Sequence, residues 1–360
     1  MGFESLRFFN FRNLKDGELD VKAREVFLVG QNGQGKTNLL EAVHLLSLGS
    51  SFREKKDNAL SRDPSSATGL NGRYVSPESG SRDLSLQFAA GRRKEIRVND
   101  KPLAERRDLL SEVLCVCFVQ QDMDFITGTP EDRRRFFDQT LVLADLSFLD
   151  TLRGYRQVLK SRNLCLKQGR DDLLDVYDAQ LASLGLNLQG RRADLVREFD
   201  AVFKPLFCQI TGSDQGVSIR YRPSWEGLHT TEQVMAHLAV RRERDRIFGA
   251  TVSGPHRDAC FYLGEGRDYS HFASTGQLRL CALTLRVAQV RFLAARTGRR
   301  PVLLLDDVLL ELDPGRKSAF LSRFPPYEQA FFTFLPDESW QSYRTPETLV
   351  LTVERGAFHP

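Results

Sequence analysis

The sequence predicts an α/β fold, a mixed central sheet with helices and an antiparallel β portion, plus an inserted helical lobe. Three observations predict it. A solid apolar run at residues 26–29 enters a glycine-rich turn, and residues 38–48 then carry Leu39, Leu40, Val43, Leu45 and Leu46 at helical spacing. A second solid apolar run, residues 301–305, ends in paired aspartates. Between the two, from Pro130 to about Phe207, charged helix-favouring sequence places leucines three and four residues apart.

Taken in order, the first 35 residues read as strand, turn, strand: residues 5–9 alternate, 14–21 follow, and 26–29 fit a buried strand. Residues 50–100 are richer in Ser, Gly, Asp and Arg, and the short alternating stretches 83–88 and 95–98 suit an antiparallel sheet. Residues 131–143 and 146–164 read as helices. Gly154, Gly169, Gly185 and Gly190 interrupt that region, so a compact helical subdomain is expected rather than the heptads of a long coiled coil. Strand-like sequence resumes at 216–221 and 248–263, before a helix at 275–295. The division is therefore 1–128 and 209–360 as two parts of one α/β domain, with 129–208 as the inserted helical lobe.

The 360 residues are 41% hydrophobic and 27% charged, enough for one large core or two domains. No basic region followed by an apolar stretch opens the chain, and no run of about 18 apolar residues occurs, which argues against export and membrane spanning. A cytoplasmic location is the default expectation. A net charge of +4 permits a nucleic-acid partner without demanding one. Of six cysteines only Cys115 and Cys117 lie close together, within an apolar run, and they read as core residues rather than metal ligands.

Residues Gly30-Gln31-Asn32-Gly33-Gln34-Gly35-Lys36-Thr37 match the phosphate-loop pattern G-x-x-x-x-G-K-[ST], with a predicted strand before and a helix, beginning near Asn38, after. Glycines let the backbone turn tightly, so amide N–H groups and the helix N-terminus converge on phosphate. Lys36 would reach the β- and γ-phosphates of ATP, and Thr37 would present its hydroxyl to Mg²⁺. The matching acidic element is Val302-Leu303-Leu304-Leu305-Asp306-Asp307: Asp306 is placed to hold the Mg²⁺ shell and Asp307 to polarise the attacking water. On their own, paired acids at a strand end could equally cap a turn.

Ser274-Thr275-Gly276-Gln277 is similar to the S-x-G-Q signature of ABC and SMC ATPases, and Glu311-Leu312-Asp313 resembles their D-loop. The long insertion between phosphate loop and signature resembles SMC-like DNA repair ATPases rather than transporter motors. The resemblance implies an ABC-type ATPase head with ATP and Mg²⁺ as cofactors. It also implies a composite site in which Ser274 and Gly276 of one copy, with Gln277, complete the phosphate loop of another in an ATP-dependent homodimer. The glutamine that usually contacts water and metal is Gln120 or Gln121, with Gln121 taken as the metal contact. Two departures stand out. Asp307 replaces the commoner glutamate, which favours slow hydrolysis and a switch, and Thr333 stands roughly where many relatives carry histidine.

Finer strings narrow the resemblance to bacterial recombination mediators within that family: Asn10-Phe11-Arg12-Asn13-Leu14, Ser51-Phe52-Arg53, Thr129-Pro130, Arg133-Arg134-Arg135-Phe136-Phe137-Asp138 and Gly254-Pro255-His256-Arg257-Asp258. The resemblance implies binding of double-stranded and gapped DNA, work with RecO and RecR, and help in loading RecA at single-strand gaps. Arg12 and Asn13 are nucleotide-contact candidates, with a solvated turn as the alternative; His256 and Arg257 read as structural or interface residues. The pairs Arg106-Arg107, Arg191-Arg192 and Arg241-Arg242, and the triplet Arg92-Arg93-Lys94, are candidate phosphate-neutralising clusters for DNA, each of which singly would be ordinary solvated surface.

Overall fold

The computed structural model describes residues 2–54, 56–77, 80–89, 94–212, 214–309 and 314–360. They form two compact units, one of residues 1–120 with 298–360 and one of residues 121–297.

In the first unit, β1 (Gly2–Phe9) and β2 (Gly17–Asp20) form an antiparallel pair. Strand β3 (Glu25–Val29) then runs through the glycine-rich loop into α1 (Lys36–Leu48). Four strands fold back antiparallel, β4 (Thr68–Ser76), β5 (Gly80–Phe88), β6 (Glu95–Val98) and β7 (Lys101–Pro102), giving a sheet ordered β2-β1-β4-β5-β6-β7. Alternation fixes its register, since Leu70, Leu84 and Leu86 are buried while Asn71, Arg73 and Gln87 are exposed; a one-residue slip would turn every leucine to water. Helix α2 (Arg106–Leu110) and β8 (Cys115–Phe118) follow, and both cysteines of β8 are buried as expected of core.

The second unit contains α3 (Asp124–Thr127), α4 (Pro130–Ala144), α5 (Ser147–Gln168) and α6 (Leu174–Thr211). These are followed by β9 (Ser218–Arg222), α7 (Thr231–Phe248), β10 (Ala259–Gly264), β11 (Arg267–Asp268) and α8 (Thr275–Thr297). Helix α4 starts at a reciprocal cap between Thr129 and Asp132 with Pro130 in its first turn. Two expectations are corrected here. Helix α6 is 38 residues long and continues through Gly185 and Gly190. Glycine at 185 is a close-approach position, because a Cβ there would lie 2.4 Å from the Trp225 ring, and Trp225 is almost fully buried. Residues 248–258 are not strand: α7, capped by Thr230 and Gln233, ends at Phe248, and β10 begins only at Ala259. Because α6 packs on β9, α7 and α8, residues 209–297 group with the helices. The unit boundaries therefore fall at 120/121 and 297/298, whereas the sequence reading places them at 128/129 and 208/209.

The chain returns to the first unit with β12 (Val302–Leu305), α9 (Pro314–Leu321), β13 (Gln329–Phe334), β14 (Thr348–Glu354) and β15 (Ala357–His359). The second sheet is ordered β15-β14-β3-β13-β12-β8, all parallel except β15. It is the mixed central sheet that the resemblance to ABC-type ATPase heads implies. Val26 and Leu28 of β3, Leu39, Leu40 and Val43 of α1, and the inward leucines of β4 and β5 share one core. Cutting any one of these leucines to alanine costs about 2–5 kcal/mol. Among the described residues no helix is long and apolar enough to cross a membrane.

Candidate functional site

The loop after β3 turns at Gly33 (φ 78°) and Gly35 (φ 119°), left-handed conformations that other residues enter at a cost. At Gly30 a Cβ would stand 2.5 Å from the Val353 carbonyl oxygen, so only glycine lets the chain leave the sheet there. Gln31, Asn32 and Gly33 are exposed, Gln34 is half-buried and Gly35 is buried. Lys36 is 4% exposed, and its Nζ donates to the carbonyl oxygens of Gly30 (2.5 Å) and Gln31 (3.3 Å). Burial lowers its pKa, opposed by the charges of Asp307, Asp306 and Glu338.

Thr37 Oγ1 donates to Asp306 Oδ1 at 2.8 Å, so two of the three residues assigned to Mg²⁺ from sequence meet side by side. Parallel pairing sets this up: Leu305 lies opposite Phe118 of β8 and Phe332 of β13, and the Asp306 N–H donates to the Phe118 carbonyl at 3.0 Å. Burial pushes the Asp306 carboxyl up to about 6, a value at which a cation would readily displace its proton. Among the described residues no group of three or more His, Cys, Asp or Glu could hold a metal unaided. Two hard oxygens, Thr37 and Asp306, suit a Mg²⁺ that takes its other ligands from phosphate and water.

Asp307 has a left-handed backbone (φ 52°), and Thr333 holds it. The Asp307 N–H donates to Thr333 Oγ1 at 2.7 Å, and that hydroxyl donates back to Asp307 Oδ1 at 2.8 Å. Thr333 thus clamps the aspartate that follows Asp306. Gln120 lies two residues beyond Phe118, at the end of the strand beside Asp306, and Gln121 is the first residue of the second unit; both are exposed.

Two of the finer strings converge on Glu41 of α1, whose carboxylate is completely buried. Arg12 reaches it through Nε and a terminal nitrogen, both at 3.0 Å, while Arg53 (2.6 Å) and Ser51 (2.5 Å) complete the ring. Burial alone would raise the Glu41 pKa; hydrogen bonds from Arg12, Ser51 and Arg53 outweigh it and hold the carboxyl below its ordinary range. Arg53 also donates to Asn38 (2.6 Å), Asn38 to Asn13 (2.6 Å), and Asn13 to the Gly33 carbonyl (2.9 Å). Arg12, half-buried, and Asn13, exposed, stand in a turn and are part of a relay that ends on the phosphate loop. Sequence reading missed Glu41, whose signal was a carboxylate on the apolar side of a helix.

In the second unit, Ser274 and Gln277 cap α8 reciprocally: the Ser274 N–H donates to Gln277 Oε1 (2.8 Å) and the Gln277 N–H to Ser274 Oγ (3.3 Å). Ser274, Thr275, Gly276 and Gln277 are all exposed. The string at 254–258 instead forms an interior hub. Asp258 accepts from Arg192 (2.8 Å), Tyr221 and the Ser224 N–H, Arg192 also grips Asp138 (2.8 Å), and His256 sits between Tyr155 and the Thr251 carbonyl, both at 2.8 Å. Burial pushes His256 down to about 4, leaving its imidazole neutral.

Arg192 is thereby removed from the DNA-contact candidates, because it is buried and paired with two aspartates. Arg191 is engaged by Asp145, and Arg242 by Asp175 and Asp178. Arg106 donates to the Leu48 carbonyl and to Ser50. Arg92, Arg93 and the D-loop candidates Glu311, Leu312 and Asp313 lie outside the described residues.

Residues 3–338 match the family model described as the RecF/RecN/SMC N terminal domain. A DNA replication and repair protein RecF of Treponema pallidum (strain Nichols) is 38% identical over 97% of this chain and 99% of its own length. One of Leptospira interrogans serovar Lai is 32% identical over 95% and 94%. A solved structure described as the recombination mediator protein RecF-ATP in the RecFOR pathway superposes with a TM-score of 0.89 at 28% identity, over 99% of this chain and 97% of that one. The head of an SMC protein bound to a winged-helix domain of ScpA gives a TM-score of 0.59 at 13% identity, a likeness of fold, that of the ABC-type ATPase head. With a phosphate loop, an acidic strand end and a signature segment placed as described, and with relatives matched along almost its whole length, the chain belongs to the RecF family of DNA replication and repair proteins.

Proposed function

We propose that this protein is an ATP-switched, DNA-binding recombination mediator: ATP and Mg²⁺ join two copies, the dimer holds duplex DNA near a single-strand gap, and slow hydrolysis releases it. The observation that carries the reading is the 2.8 Å contact of Thr37 with Asp306 beside the buried Lys36. It is an arrangement suited to a metal-bound triphosphate and to little else. A bound Mg²⁺ would neutralise charge developing on the phosphates. Lys36 would leave the Gly30 and Gln31 carbonyls to pair with the β- and γ-phosphates. Asp307, aimed by Thr333, would orient the attacking water, and Ser274 and Gly276 of a second copy would offer N–H groups to the γ-phosphate. The shorter aspartate at 307 favours a weak ATPase. Support for the DNA side and for RecO and RecR as partners comes from the RecF relatives and from the RecFOR pathway in which an ATP-bound RecF is described; a cytoplasmic location is the default that goes with this reading.

The test is solution mass with and without ATP and Mg²⁺, for wild type, Lys36→Met and Ser274→Arg. Dimerisation that needs ATP and is lost in both variants supports the switch. A monomer throughout, or a dimer indifferent to ATP and to Ser274, sinks it. DNA-stimulated hydrolysis separates this reading from a platform that uses ATP only to shape a surface for protein partners.

A further inference from the structure

The hairpin joining β14 to β15 turns through two residues, Arg355 and Gly356, with φ of 47° and 78°. Both are left-handed, the backbone of a type I′ turn, whose first position ordinarily goes to Asn, Asp or Gly. An arginine there is strained, and strain persists where surrounding contacts over-determine it. Those contacts come from the phosphate loop. The Arg355 N–H donates to Gln34 Oε1 at 2.7 Å, and the Gly356 N–H donates to the Gln34 carbonyl at 2.9 Å. On its other side the Gly356 carbonyl accepts from the Lys15 N–H at 2.8 Å.

The fit leaves no room for change. A Cβ on Gly356 would stand 1.9 Å from the Asn13 carbonyl oxygen, and a Cβ on Gly35 would meet Gly356 Cα at 3.5 Å. Asn13 is the residue that also bonds the Gly33 carbonyl, and the Val353 carbonyl is what crowds Gly30. Four of the loop's residues, Gly30, Gly33, Gln34 and Gly35, are thus contacted by the hairpin or by Asn13 behind it. The ladder between β14 and β3 ends at Thr352 and Val29, so the grip on Gln34 is additional to building the sheet.

We propose that the Arg355-Gly356 turn is a positioning element that holds the phosphate loop in its nucleotide-binding form before nucleotide arrives. This rests on the ATP reading above. With the Gln34 carbonyl and side chain taken up by the hairpin, the loop does not have to be ordered at the moment of binding, and affinity is gained without any added contact to the nucleotide. Loosening the turn weakens ground-state and transition-state binding alike, so KM for ATP rises while kcat holds.

The experiment is titration of the full chain with a fluorescent ATP analogue, with thermal melting of the nucleotide-free protein and steady-state hydrolysis alongside. Gly356→Ala, which forces the turn off the loop, raises Kd by roughly tenfold or more, and Gln34→Met, which deletes one of the two bonds, by about threefold. Arg355→Asn, which suits the left-handed position, stays within about twofold of wild type. Affinity that falls while KM rises, with kcat and the melting temperature held, identifies positioning; a parallel fall in kcat and melting temperature identifies mere structural damage and overturns the proposal. Wild-type affinity in Gly356→Ala and Gln34→Met also overturns it. Should Gly356→Ala not fold, Gln34→Met against Arg355→Asn decides, since neither changes a bond between two backbone groups. A wild-type chain that binds no ATP sinks the nucleotide reading and this proposal together, whereas a wild type that binds ATP with unaffected variants sinks this proposal alone.

Discussion

At the phosphate loop, the side chains of Gln34, Lys36, Thr37 and Asn38 all find partners within the first unit; at the signature, Ser274 and Gln277 find each other, and among the described residues nothing beyond the helix's own backbone and the chain neighbours lies within 4 Å of where a Gly276 Cβ would be. The first segment is braced from Gln34 onward and buried at Gly35 and Lys36, while the second is exposed and holds a cap between its own residues. A binding loop that must close on a small charged ligand gains from having its order set beforehand. A helix end meant for a second copy gains from presenting its N–H groups outward. On the proposed reading, the chain spends its own contacts on one half of the site and would leave the other to a second copy.

That contrast can be broken by mutation. Glu41→Leu should have the largest effect, since it leaves the guanidinium groups of Arg12 and Arg53 around an apolar side chain and frees the relay through Asn38 and Asn13. A loss of about 3 kcal/mol in denaturant unfolding is expected, with weakened ATP binding. Unchanged stability would mean that the loop does not depend on its surroundings.

The next effect is pH-dependent. In the ligand-free protein, raising the Asp306 pKa from 3.8 to about 6 means that protonation favours the folded state. The associated stability is present below about 4 and lost as pH rises through about 6. Mg²⁺ demands the ionised carboxylate, so Mg²⁺-dependent ATP affinity should fall about tenfold per pH unit below 6 and level off above it. Asp306→Asn should give a flat, weak profile; a slope retained in that variant would remove Asp306 from the metal site. Smallest of all, Ser274→Ala should cost about 1 kcal/mol of α8 stability through loss of its cap, with monomer ATP affinity within about twofold of wild type. A larger fall in monomer affinity would show that the signature is not waiting for a second copy.

Much of this was legible in sequence because it is written in local pattern. The phosphate loop, the run before Asp306 and the S-x-G-Q string each carry their chemistry in consecutive residues, and their strands and helices follow from apolar periodicity. What escaped depends on distant pairs. Glu41 looked like a polar residue on an amphipathic helix until Arg12 and Arg53 closed around it. Gly185 looked like a helix breaker because the ring of Trp225, which needs the space, is forty residues away. The cluster Arg191-Arg192 looked basic, yet one member is sealed between Asp138 and Asp258. Residues 230–248 lack a clean apolar stripe, with only Val234, Leu238 and Asp245 of α7 buried, so periodicity gave no helix there.

Strand β3 has β13 on one side and β14 on the other, both drawn from residues 329–354. During synthesis the segment that ends in the phosphate loop therefore leaves the ribosome long before either neighbour exists. At ordinary elongation speeds the wait is roughly 16 to 65 seconds. The intervening second unit has its own core and folds as it appears, while β3 and its apolar faces remain unpaired and in need of shielding. A ribosome that stalls before residue 354 releases a chain whose second unit is complete and whose nucleotide loop is not, so, if the proposed ATP-dependent pair forms, only a fully translated copy could enter it.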